Sequence, residues 1–527
     1  MIRTGALCTG LRRLALAGGA VLSLAFASTA GADSYIVLYK GNAVPASAKA
    51  DVEKAGGTYV TGYDAIGVAI ARSDSSSFAS KLSSDSRIEG VSSTAGFATR
   101  VQDPQDSGPP PGDLPNAPAS DTDSLSGLQW DMRQIHTPQA HAITGGSPSV
   151  LVGDIDTGLD YRHPDLRANV DDARSANCLS GAPVAGAAAA DDDNGHGTHT
   201  AGTIAAAANG YGIVGVAPNV KVAGIKTATA GGLFFPEAVV CAFMWAGSNH
   251  MDVTNNSYFA DPYEYNCRND ATQRAIWKAE QRAIRYAMDQ GVTVVASAGN
   301  DSDDLSHPTT DVTSPDYPPD SAQQRAITNA CVVIPVEIPG VVGVSATGSA
   351  TQDTNAGNYP DNLKSFYSNY GVSAIDVTAP GGDSRYFTPE SVNGRVLSTW
   401  PSTLPCLRSR EEPFPSDPSY PTAHYCYLQG TSMAGPHVAG VAALIVSRYG
   451  SASTPQNGKL PPGKVAAMIS QTADPQACPS TLPAGYLAAT GVNSGAVQQC
   501  QGGPGHTSWY GTGQADAFNT VTHATGG

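Results

Sequence analysis

The chain has 527 residues, a formal net charge of −16 at pH 7 and 14% charged residues. Its length and its 41% hydrophobic content are those of a globular protein with one large core or two to three ordinary domains. Nucleic-acid binding needs clustered Lys and Arg to neutralise phosphates, and this acidic chain has no basic run. Composition therefore excludes nucleic acid as an expected partner.

The first 32 residues have the pattern of a secretory signal peptide. Arg3, Arg12 and Arg13 precede an apolar stretch at 14–26, and small residues follow up to Ala32. The apolar stretch is shorter than the roughly 20 residues of a transmembrane helix, and no later run approaches that length. We expect cleavage after Ala32 and a secreted, extracellular protein without a membrane anchor.

Cysteine usage agrees with export. Cys8 lies in the signal peptide, and an even number of cysteines remains out of the total of nine, as expected for disulfides in an exported protein. Eight cysteines allow 105 connectivities, so the sequence does not determine the pairing. Cys406–Cys426 and Cys478–Cys500 are plausible pairs, because each would close a short loop and stabilise the fold by about 3 kcal/mol. No CxxC pair has zinc spacing, so disulfides are favoured over a metal role.

Residues 33–100 have the pattern of a small α+β domain. YIVLYK predicts a strand, residues 46–55 a helix, and GTYVTGYDAIGVAIA a hairpin, followed by a helix at 76–82 and a strand near Gly90. The order βαββαβ is that of a ferredoxin-like domain. Residues 101–127 are rich in Pro, Asp and Ser and cannot bury enough apolar surface to fold, so they predict an exposed linker.

From residue 128 to residue 527, short apolar strands alternate with helical stretches. SVLVGDID, VKVAGIK, VTVVASAG and VVGVSATG are apolar on both faces, and stretches such as HTAGTIAAAAN and GPHVAGVAALIVSRY separate them. This pattern predicts an α/β domain with a mostly parallel sheet flanked by helices. In such sheets function collects at the carboxyl ends of the strands.

Three polar residues stand where a strand ends or a helix begins. Asp156 ends the strand VLVGDID, His196 opens the helix of DNGHGTHTAG, and Ser432 lies in QGTSMAGPHVAG. Taken singly, Asp156 and Ser432 are also common helix caps, and a histidine here is more often structural. Together they provide what a serine nucleophile needs at neutral pH, a base and a group that orients the base.

Four motifs follow one another along the chain: VGDIDTGLDYRHPDL, DNGHGTHTAGTIAAAANGYGIVGVAP, VVASAGN and GTSMAGPHVAG. They resemble the subtilisin-like serine proteases, the subtilase or peptidase S8 family, of the secreted bacterial type with an inhibitory propeptide. The resemblance covers residues 128–519. It implies a subtilisin-like fold and a serine endopeptidase that forms an acyl-enzyme, with Asp156 orienting the histidine, His196 as general base and Ser432 as nucleophile.

The resemblance also implies the surroundings of these residues. Asn300 matches the side-chain donor to the oxyanion, with the backbone N–H of Ser432 as the second donor. A peptide would lie as an extended strand between two segments; the implied substrate-binding residues are Gly231, Gly232, Leu233, Ser257, Tyr258, Phe259, Ala298 and Gly299. Phe259 stands where the family usually has glycine, so its ring would narrow or roof the primary pocket. The insertion between Cys406 and Cys426 is either a rim of the cleft or a plain surface loop.

A structural calcium ion is a further implication of the resemblance. Asp165 and Asn209 match family ligands, and the carbonyl groups of Ala207, Tyr211 and Ile213 would add hard oxygen ligands. A glutamine that the family supplies near its mature N-terminus has no clear counterpart here. No cofactor is expected for catalysis.

The N-terminal domain and the linker resemble the inhibitory propeptide of secreted subtilases, with the maturation site inside residues 101–127. A retained accessory domain is the alternative. The expected partners are protein or peptide substrates and the chain's own propeptide, and we expect a monomer.

Three other functions compete. Asp156-Thr157-Gly158 is also the signature of aspartic proteases, but these need two such motifs, and no second DTG or DSG occurs. A zinc hydrolase that used His196 and His199 would lack the HExxH spacing. A catalytically silent binding or inhibitor protein on the same scaffold is the remaining alternative, although every catalytic position is filled.

Overall fold

The computed structural model describes most of the chain. The described residues are 32–94, 122–259, 263–314, 322–349, 363–384, 394–451, 458–480, 482, 487, 497–503 and 505–523. The predicted signal peptide up to residue 31, and the linker with its maturation site up to residue 121, lie outside the described residues.

A small N-terminal domain has the predicted βαββαβ order. Its elements are β1 (Asp33–Tyr39), α1 (Ala48–Ala55), β2 (Thr58–Tyr63), β3 (Val68–Ser73), α2 (Phe78–Ser83) and β4 (Ile88–Ser93). The strands form an antiparallel sheet in the order β2-β3-β1-β4. Tyr35 and Val37 of β1 pack against Phe78 and Leu82, so one face of the sheet is covered by the domain's own helices.

The large domain is built on an eight-stranded sheet. Its strands are β5 (Leu151–Asp156), β6 (Ala176–Asn177), β7 (Val184–Ala185), β8 (Lys221–Lys226), β9 (Val253–Asn256), β11 (Thr293–Ser297), β15 (Val342–Thr347) and β16 (Val377–Pro380). Their order is β16-β15-β11-β9-β5-β8-β6-β7, and all neighbours are parallel except β6 and β7. The predicted mostly parallel sheet is confirmed.

Helices cover both faces of this sheet. The segments α3 (Trp130–Gln134) and α4 (Thr137–His141) precede it, and α5 (His196–Ala205), α8 (Thr431–Tyr449), α9 (Pro462–Thr472) and α10 (Ala517–Thr522) pack on the face that carries Val295. The helices α6 (Pro236–Ser248) and α7 (Ala271–Asp289) pack on the opposite face, which carries Val294. Successive strand residues therefore enter different cores, which explains why these strands are apolar on both faces.

Shorter elements surround this core. An antiparallel sheet contains β17 (Val396–Trp400), β19 (Thr422–Leu428) and β18 (Ser409–Pro413), in that order. Two-stranded pairs join β10 (Asn266–Cys267) to β14 (Cys331–Val332), β12 (Thr310–Asp311) to β13 (Arg325–Ala326), and β20 (Gly502–Gly503) to β21 (His506–Thr507). The disulfides are Cys178–Cys241, Cys267–Cys331, Cys406–Cys426 and Cys478–Cys500, so both predicted pairs are confirmed.

The free face of the N-terminal sheet packs on α6 and α7. Ile36 and Leu38 of β1 belong to the same apolar cluster as Phe243 and Ala279 of these helices. At the edge of the contact, Arg282 donates hydrogen bonds to the backbone carbonyls of Tyr39 and Ile66. The two domains therefore share one continuous apolar interface.

Within the part of the chain that the structure describes, no helix combines the length and the apolar character needed to cross a membrane.

Candidate active site

Asp156 and His196 meet at the carboxyl end of the central sheet. Asp156 is the last residue of β5 and His196 the first residue of α5, and both are buried. Oδ1 of Asp156 lies 2.8 Å from Nδ1 of His196 and accepts a hydrogen bond from the backbone N–H of Thr157 at 2.7 Å. The carboxylate therefore holds the imidazole with its Nε2 atom directed away from Asp156.

The close approach of α5 to the end of β5 depends on a glycine and on shared hydrogen bonds. A β-carbon on Gly197 would lie 2.2 Å from the carbonyl oxygen of Gly158. Oγ1 of Thr157 accepts from the N–H of Gly197 and donates to Asp192, and Asp192 accepts from the N–H of Thr198 in the first helical turn. Thr157 and Asp192 thus fix where the helix begins.

Opposing effects act on the imidazole of His196. Burial disfavours the imidazolium and lowers the pKa of His196, but the charge of Asp156 and its hydrogen bond favour the cation and outweigh burial, so the pKa is raised. A raised pKa makes the neutral ring a stronger base. A ring oriented in this way is suited to accept a proton from a nearby hydroxyl.

Ser432 is the second residue of α8 and is only 8% exposed. Its Oγ donates to the backbone carbonyl of Ser257 at 3.1 Å, and the hydroxyl of Ser257 donates to the carbonyl of Ser432 at 3.0 Å. The helix α8 also packs against α5, which begins at His196. Ser432 thus lies between the end of β9 and the helix that carries the imidazole.

The amide of Asn300 is oriented by the first turn of α8. Its Oδ1 accepts hydrogen bonds from the backbone N–H of Thr431 at 2.9 Å and from the Thr431 hydroxyl at 3.0 Å. These contacts direct the Nδ2 group of Asn300 away from Thr431. Asn300 is thus held against Thr431, the residue before Ser432. A fixed amide donor at this place is the kind of group that stabilises an oxyanion.

The segment before Asn300 is held by Asn369, which sequence reasoning missed. Nδ2 of Asn369 donates to the carbonyl of Ala298 at 3.1 Å, and its Oδ1 accepts from the N–H of Asp301 at 2.9 Å. Gly299 lies between them with a φ of 100°, and a β-carbon there would lie 2.5 Å from Nδ2 of Asn369. Asn369 lies far along the chain and in none of the quoted motifs, so no sequence signal marks it.

Asp154 is a second buried carboxyl group beside Asp156, and sequence reasoning missed it too. It accepts hydrogen bonds from Nδ2 of Asn255 at 2.9 Å and from the hydroxyl of Thr200 at 2.7 Å. Burial, and then the charge of Asp156, raise the pKa of Asp154 well above its usual range. An aspartate inside the apolar strand VLVGDID was the available signal.

The first predicted substrate segment, residues 231–233, belongs to a tight turn. The N–H of Gly232 donates to the carbonyl of Thr229 at 2.8 Å, and the N–H of Thr229 donates to the carbonyl of Leu233 at 3.1 Å. Nδ2 of Asn194 donates to the carbonyl of Ala230 at 3.0 Å. This turn is therefore attached to the loop that precedes His196.

The second predicted substrate segment, Ser257-Tyr258-Phe259, follows β9. Tyr258 is buried, its ring stacks on Phe234 at a centroid distance of 4.3 Å, and its hydroxyl donates to Asn256. Phe259 is partly buried and packs against the apolar cluster of α6 and α7. The Phe259 ring therefore contributes to the core, and its expected effect on the primary pocket stays a prediction.

Two further histidines in the motifs have structural contacts. Nε2 of His199 lies 3.0 Å from the carbonyl of Cys426, and burial lowers the pKa of His199 to about 3. His437 contacts Asp131 through Nε2 at 3.0 Å and the carbonyl of Met433 through Nδ1 at 2.8 Å. Both rings are fully buried, and these contacts fix them within the large domain.

The residues predicted to bind calcium lie around Asp165. Its carboxylate accepts hydrogen bonds from the N–H of Ile213 at 3.0 Å, from the hydroxyl of Tyr425 at 2.8 Å and from Nδ2 of Asn209 at 3.2 Å. The N–H of Ala207 donates to the backbone carbonyl of Asp165, and Oδ1 of Asn209 accepts from the N–H of Tyr211. The oxygens of Asp165 and Asn209 thus accept hydrogen bonds from N–H and O–H groups, and calcium binding remains a prediction.

The insertion between Cys406 and Cys426 packs beside this loop. Its strand β18 pairs with β19, and the hydroxyl of Tyr211 donates to the carbonyl of Glu412 at 2.7 Å. The hydroxyl of Tyr420 donates to Asp160 at 2.8 Å, four residues after Asp156. The insertion therefore contacts both the loop between β5 and α5 and the loop that follows α5.

Comparison with known proteins identifies the family. The model of the subtilase family, Peptidase_S8, matches residues 147–513, which is more than half of the chain, so the chain belongs to this family. It is 31% identical over 338 residues to an alkaline protease of Alkalihalobacillus alcalophilus, covering 64% of each chain. It is 32% identical to subtilisin DY of Bacillus licheniformis over 60% of this chain and 83% of that protein.

A solved structure agrees in fold. An epidermin leader peptide processing serine protease of Staphylococcus aureus matches with a TM-score of 0.62 and 22% identity, over 94% of this chain and 99% of that one. The chain spans 64% of the alkaline protease. The comparisons thus fix the family and the fold.

Asp165→Asn tests the loop that was predicted to bind calcium. Burial raises the pKa of Asp165 from 3.8 to about 7, so the folded protein retains a proton that the unfolded chain has lost. That stabilisation is fully present below about pH 4 and is lost as the pH rises through about 7. Asn does not titrate. As the pH rises from about 4 to about 7, the free energy of unfolding of the original protein should therefore fall relative to that of the variant. Urea unfolding in the presence of a chelator measures both free energies.

Added Ca²⁺ gives the opposing outcome. An ion that binds only the folded state raises the melting temperature, and it requires the ionised carboxylate. A calcium-dependent increase that Asp165→Asn removes would establish a calcium site here, whereas equal melting curves with and without Ca²⁺ would mean that hydrogen bonds alone hold the loop.

Proposed function

We propose that the protein is a secreted serine endopeptidase that hydrolyses peptide bonds through Asp156, His196 and Ser432. The observation that carries this proposal is the 2.8 Å contact between Asp156 and His196, on elements packed against the helix α8, whose second residue is Ser432. Membership of the subtilase family supports the same reaction class.

In the proposed mechanism His196 accepts the proton of the Ser432 hydroxyl while Oγ attacks the scissile carbonyl. His196 then gives this proton to the leaving amine, and an acyl-enzyme forms; water repeats both steps and releases the acid. Asp156 stabilises the imidazolium through its contact with Nδ1. In the resting geometry Oγ of Ser432 donates to Ser257, so attack requires the hydroxyl to turn towards His196.

Two donors stabilise the oxyanion in this proposal. The Nδ2 group of Asn300 is directed away from Thr431, and the backbone N–H of Ser432 lies in the first turn of a 19-residue helix. First-turn N–H groups have no partner within the helix and carry partial positive charge. Both donors are fixed before the reaction, so they stabilise developing negative charge without reorganisation.

The substrate is proposed to be a protein or peptide chain bound as an added strand. Residues 231–233 and 257–259 would pair with its main chain, and Ala298 and Gly299 would border the scissile bond. The fixed contacts of Ala298 and Gly299 with Asn369 and Thr431 support a rigid wall at this place.

We further propose that the N-terminal domain is an inhibitory propeptide, and that the enzyme cuts it off within residues 101–127. Its separate core and its apolar contact with α6 and α7 support a domain that folds with the enzyme and can leave it. Export is supported by the disulfides, which persist in oxidising compartments. The alternative is a binding or inhibitor protein on this scaffold that has no catalytic activity. It would be favoured if the intact protein did not hydrolyse peptides.

Two carboxyl groups are buried in the helices α6 and α7, on which the N-terminal domain packs. Glu237 lies in the first turn of α6 and Glu280 lies in α7, and both are buried. Among the described residues neither oxygen of Glu280 has a hydrogen-bond partner. Burial raises the pKa of both groups, with the charge of Glu237 adding to the effect on Glu280. Thr94 and Ser34 of the N-terminal domain lie beside Glu237.

Ser432→Ala should abolish hydrolysis and leave the precursor uncut, because maturation uses the same nucleophile. The measurement is the mass of the protein made in a protease-free host, together with cleavage of a peptide library. Serine-directed phosphonates should inactivate the original enzyme, and pepstatin should not. Normal processing of the variant would contradict self-cleavage, and the reverse inhibitor pattern would favour an aspartic protease.

Asn300→Leu should lower the turnover number by about 10²–10³, or roughly 2.7–4 kcal/mol, a magnitude transferred from subtilisin. The substitution keeps the volume and removes the donor to the oxyanion. KM should change little, since the lost interaction belongs mainly to the transition state. A fall of less than about threefold in a folded variant that still reacts with a phosphonate would exclude Asn300 as the oxyanion donor.

Glu237→Gln should flatten the pH dependence of release of the N-terminal domain. A pKa raised only in the complex stabilises the complex below about pH 4, and this stabilisation is lost as the pH rises through the raised pKa. Activity of freshly cleaved enzyme should therefore appear faster at pH 8 than at pH 5, and the variant should show a smaller difference. The lag before hydrolysis of a peptide substrate measures this.

Glu89→Gln is the matched control for this prediction. Glu89 forms ion pairs with Lys278 and Arg282 at the partly exposed edge of the same interface. Its replacement should shorten the lag at every pH and leave the pH dependence unchanged. An unchanged pH dependence in Glu237→Gln would contradict the role of the buried carboxyl group.

A further inference from the structure

An imidazole and two carboxylates converge on elements that carry none of the proposed catalytic residues. His136 precedes α4, Asp474 follows α9 and Asp516 precedes α10. One ligand atom from each side chain lies within 4.8 Å of the other two. Nδ1 of His136 lies 2.6 Å from Oδ2 of Asp516.

Main-chain hydrogen bonds hold these three positions together. Asp474 and Gln514 exchange two backbone hydrogen bonds of 2.8 Å each, which places Asp474 beside the segment that leads to Asp516. The N–H of Ala517 donates to the carbonyl of Ile135 at 2.8 Å, which places Asp516 beside His136. The convergence is therefore a property of the backbone and does not depend on the ion pair.

A single asparagine orients both carboxylates. The backbone N–H of Asn519 donates to Oδ1 of Asp516 at 2.6 Å, and Nδ2 of Asn519 donates to Oδ1 of Asp474 at 3.0 Å. Oδ2 of Asp516 is thereby turned towards His136. Outer hydrogen bonds of this kind orient the ligands of metal sites.

The cluster brings two carboxyl groups and one imidazole together, with one ligand atom of each within 4.8 Å of the others. A bound cation would lie between carboxylate oxygens that otherwise repel each other.

We propose that His136, Asp474 and Asp516 form a binding site for a divalent transition-metal ion of the zinc type. One imidazole nitrogen and two carboxylate oxygens suit this class of ion. Bonds of about 2.0–2.1 Å in a tetrahedral site place ligand atoms roughly 3.3 Å apart, which lies between the observed 2.6 Å and the 4.8 Å limit. The His136 side chain is 44% exposed, so water can complete the coordination.

The proposed ion is structural and does not depend on the proposed function. It would connect the start of α4, the end of α9 and the start of α10. The helix α10 packs against α4, α8 and α9, so the ion would hold the last helix onto the core of the large domain.

The test uses the full chain as Ser432→Ala, to prevent self-digestion, after treatment with chelator and dialysis. Titration calorimetry with Zn²⁺ and melting curves with and without Zn²⁺ are the measurements. We expect Zn²⁺ binding and a melting temperature that rises with its concentration. His136→Ala and the isosteric Asp474→Asn should each weaken this binding at least tenfold. Co²⁺ bound by the intact cluster should give visible absorption that both variants lose.

His307→Ala is the matched control, because His307 forms a similar pair with Asp304 at 2.9 Å, outside the cluster. This variant should bind Zn²⁺ as the parent does. Three results would overturn the proposal: no Zn²⁺ binding by the parent, binding that both cluster variants retain, or variants that lose equal stability with and without Zn²⁺. The last result would mean that His136 and Asp516 form an ion pair that stabilises the fold without a metal ion. Two variants are used because Asp474→Asn preserves side-chain shape if His136→Ala folds poorly.

Discussion

The first turn of α8 is buried against the ends of two strands, and the rest of the candidate active site is arranged around it. The hydroxyl of Ser297 donates to the carbonyl of Thr431 at 2.7 Å, while Asn300 accepts from the N–H of the same residue. A β-carbon on Gly435 would lie 2.7 Å from the hydroxyl of Ser297. The helix α8 therefore needs a glycine at this position in order to pack against the strand that ends at Ser297. This packing requirement holds whether or not the small residues also leave room for a substrate.

The helix α8 accommodates an internal proline through a contact with the residue that follows β9. Pro436 is the sixth residue of the helix and has no N–H, so it leaves the carbonyl of Ser432 without its usual partner four residues on. The hydroxyl of Ser257 donates to that carbonyl at 3.0 Å and replaces the missing bond. Ser257 in turn contacts Asn255, whose Nδ2 also donates to Asp154. One network thus connects the carboxyl pair at the end of β5 with the helix that carries Ser432.

The sequence predicts those parts of the site that lie within continuous motifs. Asp156, His196 and Ser432 each stand at the end or start of a strand or helix whose apolar pattern is clear. Their places at the carboxyl edge of the sheet therefore follow from local rules. Asn369 and Tyr425 could not be predicted, because their contacts with Ala298 and Asp165 join residues far apart in the chain. Only the packed fold determines which donor reaches which acceptor. The same reason applies to Glu237, whose burial depends on a separate domain.

The structural effect of a buried carboxyl group depends on which domain supplies its neighbours. The hydrogen-bond donors to Asp154 are Thr200 and Asn255, and both belong to the large domain. Its hydrogen bonds are therefore independent of the N-terminal domain. Glu237 instead lies beside Thr94 and Ser34 of the N-terminal domain. If that domain is released as proposed, Glu237 loses these neighbours and Asp154 keeps its own, so a buried carboxyl group supports the candidate active site in one place and the interface between the domains in the other.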